Sequence, residues 1–213
     1  MKKTIAVLAL LTVFFGYSQD AAKAEALLNE VSSKVKSYDN ISIDFKYVLT
    51  NVSENINQET RGDVVIEGEK YYLNILGVTR IYDGKTMYTI SPEDEEVTIS
   101  SENSEEENTI TPSEMLSFYE NGYNYAMDIV QNVKGRKVQY VKLIPIDTDS
   151  EIKQVLLGID ANTKHIYNLI EIGKNGTKTT LTVNSFKTNQ PISKTLFTFD
   201  EGKYADYYIN KID

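Results

Sequence analysis

Apolar side chains recur along this chain at two spacings, and the change from one to the other divides it. Ala24, Leu27, Leu28, Val31 and Val35 fall three or four residues apart, with Lys23, Glu25, Glu30 and Lys34 opposite them. That period predicts an amphipathic helix ending near Ser37. From Ile41 the spacing drops to two: Ile41, Ile43, Phe45, Tyr47 and Leu49 alternate with Ser42, Asp44 and Lys46, as a strand with one buried face requires. Further strands are predicted over 60–67, 70–76, 78–82, 85–90, 95–100, 122–133, 137–144, 153–160, 165–172 and 177–186. The pairs Glu67-Gly68, Asp83-Gly84, Lys134-Gly135 and Asn175-Gly176 lie between them and suit tight turns. Connections this short favour antiparallel neighbours and leave no room for parallel crossovers. The expected fold is mainly β: one large antiparallel sheet of about eleven strands, curled into an unclosed barrel.

One stretch interrupts the alternation. Thr111-Pro112-Ser113-Glu114 combines a capping threonine, a proline at the first helical position and a glutamate three residues after the cap. Met115, Leu116, Phe118 and Tyr119 follow, and then Gly122. This predicts a short capped helix with an apolar side. The preceding run from Ser101 to Asn108 is polar and acidic, as expected of a mobile exposed loop. Neither helix belongs to the strand ladder, so both are expected to cover the sheet's apolar face or opening.

The N-terminus changes the compartment. Met1-Lys2-Lys3, an apolar run over residues 5–15 and the small residues of Gly16-Tyr17-Ser18 form the pattern of a secretory signal peptide. The apolar run is about half of the ~20 residues that span a bilayer. Residues 1–18 are therefore read as a cleaved leader, and 19–213 as a single domain released into the periplasm. The chain has no cysteine, which excludes disulfides, thiolate metal sites, cysteine nucleophiles and a lipid-anchoring cysteine. Without the leader's two lysines, 20 basic residues face 31 acidic ones and the formal charge moves from −9 to −11. Such a balance argues against nucleic acid as a partner.

Candidate chemistry is sparse. His165 is the one histidine, and a lone imidazole near a turn is an ordinary strand residue. Metalloprotease, nucleophile-elbow, dinucleotide and P-loop signatures are absent. Glu93 to Glu96, Glu102 and Glu105 to Glu107 could pair as catalytic carboxylates or hold calcium, but in turns and loops solvation accounts for them. Sequons at Asn40, Asn51 and Asn175 carry little weight, and Asn175-Gly176 already reads as a turn. The expectation is no enzyme, no metal and no cofactor. What stands out is the apolar face itself: Phe45, Tyr47, Leu73, Met87, Tyr125 and Leu157 would each fit a core, but a sheet this wide encloses more space than two helices fill. A hydrophobic cavity is expected.

At these residues the chain resembles the periplasmic outer-membrane lipoprotein carriers of LolA type. The likeness rests on the first helix, Ser42-Ile43-Asp44-Phe45, Gly62-Asp63-Val64, the stretch from Asp83-Gly84-Lys85-Thr86 through Met87-Tyr88-Thr89-Ile90-Ser91-Pro92, and Phe197-Thr198-Phe199. It implies an unclosed barrel with a helical lid that carries lipoprotein acyl chains from an inner-membrane lipoprotein-releasing ABC transporter complex towards the outer membrane, and to an acceptor there where one exists. The protein would be a monomer. The expected cavity wall comprises Ile43, Phe45, Tyr47, Val64, Ile66, Leu73, Ile75, Met87, Tyr125, Met127, Val155, Leu157, Leu181 and Val183. Leu27, Leu28, Val31, Met115, Leu116, Phe118 and Tyr119 would form the lid. An arginine that the family carries after its second strand to hold the lid has no counterpart at Gly68-Glu69-Lys70. Rival readings are a carrier for a free lipid, glycolipid or pigment, a carboxylate-based hydrolase, and an adhesion or scaffold module without a cavity.

Overall fold

The computed structural model describes residues 20–101 and 111–212. The leader and the acidic segment after Ser101 lie outside them, and with them the expectations of cleavage and of a mobile loop. Helix α1 occupies residues 20–36 and ends where the period predicts. Ala24, Leu28 and Val31 are buried along one side.

Eleven strands follow the predicted alternation: β1 (Ile41–Asn51), β2 (Ile56–Glu67), β3 (Lys70–Ile75), β4 (Val78–Tyr82), β5 (Thr86–Ser91), β6 (Glu96–Ser101), β7 (Tyr123–Val133), β8 (Arg136–Pro145), β9 (Ile152–Asp160), β10 (Ile166–Gly173) and β11 (Lys178–Thr188). A twelfth, β12 (Tyr208–Ile212), joins them. The protein is mainly β, with one sheet in the order β12-β6-β5-β4-β3-β2-β1-β11-β10-β9-β8-β7, whose ends are not joined. Consecutive strands from β2 to β6 and from β7 to β10 pair antiparallel.

The edge strand β12 runs parallel to β6, with Ile209 opposite Val97 and Lys211 opposite Ile99. Short connections do exclude parallel neighbours between consecutive strands. β12, however, returns to β6 only after residues 102–207, so the length restriction does not apply to it. Its five residues are too few to show a period.

Asp83-Gly84 opens a longer turn than the two-residue pair predicts, β4 ending at Tyr82 and β5 beginning at Thr86. Tyr82 pairs with Met87, and the Asp83 carboxylate accepts from the backbone N–H of Lys85 (2.9 Å) and Thr86 (2.8 Å), while Gly84 takes φ +96°. The aspartate closes the loop through its own side chain, and glycine supplies the left-handed residue.

The described residues gather into two compact units: 20–36, Leu49–Asn57 and Tyr119–Thr180 in one; Ser37–Val48, 58–101, 111–118 and 181–212 in the other. In the first, Val138, Val141, Leu143, Val155, Leu157 and Ile159 are almost wholly buried on β8 and β9. In the second, both faces of β3 to β6 are covered or half-covered, against the expectation of one buried face. Ile81, Ile90 and Val97 form a cluster on one face, packed by Tyr72, Tyr88 and Ile99 and by Phe199, Tyr204, Tyr207 and Ile209 of the C-terminal segment. On the opposite face lie Ile66, Tyr71 and Tyr82, all buried.

Candidate functional site: apolar faces and a polar depression

In the second unit, strand register assembles the predicted wall in rows. Ile66, Tyr71, Tyr82 and Met87 lie side by side; Val64 and Leu73 form the next row, and Ile75 the row beyond. Residues opposite one another on neighbouring strands project from the same face, so these rows form one apolar surface. Ile43, Phe45, Val64, Ile66 and Val183 are buried, whereas Tyr47, Leu73, Ile75, Met87 and Leu181 remain half-buried. Phe45 packs over Gly62: a β-carbon there would sit 2.5 Å from Phe45 Cζ and 2.6 Å from the Asn74 carbonyl oxygen, so only glycine fits beneath the ring.

Tyr71 and Tyr82 belong to this surface although the candidate residues did not include them. Their rings lie 5.6 Å apart, and the Tyr71 hydroxyl donates to Met87 Sδ at 3.2 Å. The available signal was phase, since both alternate in step with Leu73. Arg80 shares that phase: it stands opposite Leu73 and Thr89.

In the first unit, Tyr125 and Met127 are half-buried, and Val155 and Leu157 are buried. Tyr125, Leu143, Val155 and Glu171 form one row; Met127, Val141, Leu157 and Leu169 form the next. Glu171 is thus an acidic residue on an apolar face, away from the turns and loops that hold the acidic candidates. Burial raises its carboxyl above the usual glutamate range. Burial also raises the neighbouring Tyr123 hydroxyl, and the Glu171 charge adds to that shift.

The expected lid divides. The capping box forms as predicted: Glu114 N–H donates to Thr111 Oγ1 at 3.2 Å, and Thr111 N–H donates to Glu114 Oε2 at 2.7 Å. However, helix α2 (Pro112–Met115) is a single turn, followed by a 3-10 turn at Phe118–Glu120, rather than a helix running to Gly122. α2 packs beside β3, and Ser113 Oγ donates to the Gly68 carbonyl at 3.3 Å. Leu116 is buried, Phe118 half-buried and Met115 exposed.

Tyr119 lies in the first unit, fully buried, and its carbonyl accepts from the Tyr125 hydroxyl at 2.7 Å. Beside it, the Glu120 carboxylate accepts from Lys36 Nζ at 2.8 Å and from the Ser32 hydroxyl, both on α1. Those two hydrogen bonds, with the Lys36 charge, hold the Glu120 carboxyl below the usual range despite partial burial. Leu28 and Val31 on α1 are buried and Leu27 is half-buried.

A depression of about 720 Å3 opens beside the β3–β4 turn in the second unit. Its wall mixes Phe45, Ile75, Leu76 and Val78 with Asp44, Arg61, Asp63, Asn74, Thr79 and Asn184. The polar groups partly satisfy one another, Asn74 Nδ2 donating to Asp63 at 3.0 Å and Thr79 Oγ1 to Asn74 Oδ1 at 2.8 Å. Alternation alone could not show this depression, because its wall draws on turn residues and on both phases of the strands.

Other candidates have local structural roles. Asn40 is pinned to Gln190 by two hydrogen bonds of 2.9 and 3.0 Å, Asn51 accepts from Ser53 and Glu54, and Asn175 accepts from Thr177 N–H. His165 is half-buried, and burial, with the nearby Lys34 charge, lowers its basicity. Glu93, Asp94 and Glu95 are exposed at the β5–β6 turn. Among the described residues, no group of three His, Cys, Asp or Glu could hold a metal, and no helix is long and apolar enough to cross a membrane.

These features define a class: a mainly β protein with few helices, whose open sheet presents apolar side chains on the faces of both units. The profile of the family described as "Outer membrane lipoprotein carrier protein LolA" matches residues 36–200, and the chain belongs to that family, whose members are carriers or binders. Among solved structures, an uncharacterized conserved protein from Thermus thermophilus aligns at 10% identity and TM-score 0.60, over 89% of this chain and 99% of that one. LprF from Mycobacterium bovis aligns at 14% identity and TM-score 0.52, over 82% and 96%. A LolA superfamily protein from Nitrosomonas europaea aligns at 12% identity and TM-score 0.43, over 84% and 98%. The first two similarities concern the fold alone. A search of curated protein sequences finds no match.

Proposed function

We propose that this protein is a periplasmic carrier that receives the acyl chains of lipoproteins on its apolar sheet faces and moves them from the inner towards the outer membrane. The observation that carries this reading is the surface built on β2 to β5 in a member of the carrier family: Leu73, Ile75 and Met87 are only half-buried although they adjoin fully buried neighbours. Each methylene withdrawn from water is worth about 0.8 kcal/mol, so a lipidated protein leaves a membrane readily only if the carrier offers comparable apolar contact. Release then requires that the acceptor bind more tightly or that the covering segments shift. The segments bearing Leu28, Val31, Met115, Leu116 and Tyr119 are the proposed cover. Donation by an inner-membrane ABC transporter complex, a soluble monomeric form and leader cleavage after Ser18 belong to the same proposal. Their common test is mass spectrometry of the protein purified from native periplasm. Expected is a chain beginning at Gln19 with acylated cargo attached. Recovery of an uncleaved, membrane-bound chain without acyl cargo would overturn the reading.

A further inference from the structure

Arg80 stands on the same face of the sheet as Val64 and Leu73, in one hydrogen-bonded row that continues to Thr89 and Thr98. It is half-buried, and among the described residues its guanidinium has no carboxylate partner. The other cations of β2 to β4, Arg61 and Lys70, alternate onto the opposite face. A charge taken partly out of water next to leucine and valine is costly unless something answers it, and no carboxylate among the described residues does. The row also changes character along its length. It is apolar at Val64 and Leu73, cationic at Arg80, and hydroxyl-bearing at Thr89, whose side chain likewise has no hydrogen-bond partner among the described residues.

We propose that Arg80 and Thr89 form a head-group site for an anionic amphiphile, a carboxylate or phosphate carrying an acyl or alkyl chain that lies towards Val64 and Leu73. The proposal rests on the acyl-binding reading above and adds the charge of the ligand. A guanidinium offers paired N–H donors in the plane that carboxylate and phosphate oxygens match, and the threonine hydroxyl supplies a further donor alongside. The lipid end would therefore be selected for its head as well as its chain.

Titration calorimetry of the purified protein below micelle-forming concentrations separates the cases, using oleate, oleyl phosphate, neutral oleyl alcohol and inorganic phosphate. Expected is at least about tenfold tighter binding of oleate or oleyl phosphate than of the alcohol, the size of a charge-assisted contact, with no measurable binding of inorganic phosphate. The tighter of the two anions identifies carboxylate or phosphate as the head. Arg80→Met should remove the anions' advantage over the alcohol, so that the three amphiphiles bind alike, and Arg80→Lys should retain part of the preference. Equal binding of all three amphiphiles by the parent protein would overturn the head-group site and leave the acyl-binding reading standing, even if the Met variant failed to fold. Binding of none would overturn both. Inorganic phosphate binding as tightly as oleyl phosphate would show a site for free anions and overturn the amphiphile.

Discussion

Both faces of β3 to β5 carry apolar and aromatic residues at the same spacing, yet they meet different surroundings. One carries Ile81, Ile90 and Val97 and is closed by the chain's own C-terminal segment, where Phe199 stacks on Tyr88 at 4.7 Å and on Tyr204 at 5.4 Å, and Tyr207 meets Tyr204 edge-on at 5.2 Å. The other carries Leu73 and Met87 half-buried beside Arg80. The contrast teaches that an apolar strand face is filled or left available according to what returns to cover it. On the closed face a long aromatic segment returns. On the other face burial is uneven: Ile66, Tyr71 and Tyr82 are buried, whereas Leu73 and Met87 stay half-buried, and the single turn of α2 packs beside β3.

The largest expected effect tests that contrast directly. Ile81→Glu would place a carboxylate in the closed cluster, where nothing can solvate it, at a cost of about 4 kcal/mol, and a fall of that order in urea-unfolding free energy is expected. Leu73→Glu, half-buried on the open face, should cost less than half as much while abolishing capture of a fluorescent fatty-acid probe. Equal destabilisation by both substitutions would mean that the two faces are equally core. Phe199→Ala comes next. It removes the ring between Tyr88 and Tyr204, with an expected loss of about 3 kcal/mol in the same denaturation measurement. Probe capture per folded molecule should stay unchanged, and a loss of capture would show that the closed face also serves the ligand.

The smallest effect concerns the clamp between Glu120 and α1. Its carboxyl is lowered in the folded protein, so its contribution is present above the ordinary glutamate range and is lost as the pH falls through the folded value. Amide hydrogen exchange at the C-terminal end of α1, corrected for the intrinsic pH dependence, should therefore accelerate over that acidic window. Glu120→Gln should raise exchange at neutral pH and flatten the response. A wild-type profile unchanged across the window would mean that α1 is held in place by contacts other than the Glu120 carboxylate.

Much of this was legible because the signals are local. The helix over residues 20–36, the strand alternation and the Thr111 capping box each arise from contacts within a few residues, so their spacing shows in the chain. The Gly62-Asp63-Val64 and Asp83-Gly84-Lys85-Thr86 stretches likewise pointed to the family that the profile match establishes. Phase places Val64, Leu73 and Met87 on one face, and the same phase holds Tyr71, Arg80 and Tyr82, whose polar tips or charge keep them from standing out in an apolar pattern. The carboxylate of Glu171 escapes notice for a similar reason: it is one acid in an acidic chain, and only register sets it beside Val155.

By itself, the sequence determined which residues become helix or strand and which positions share a face, because backbone geometry repeats every 3.6 or 2 residues and side chains follow it. Tertiary structure alone decided that β12 returns parallel to β6, that Phe199 and Tyr204 seal one face, and that Glu120 reaches Ser32 and Lys36 across more than eighty residues. It also decided that Leu73 and Arg80 remain half-buried. Such pairings depend on where distant segments come together, and a local period carries no information about partners that far along the chain.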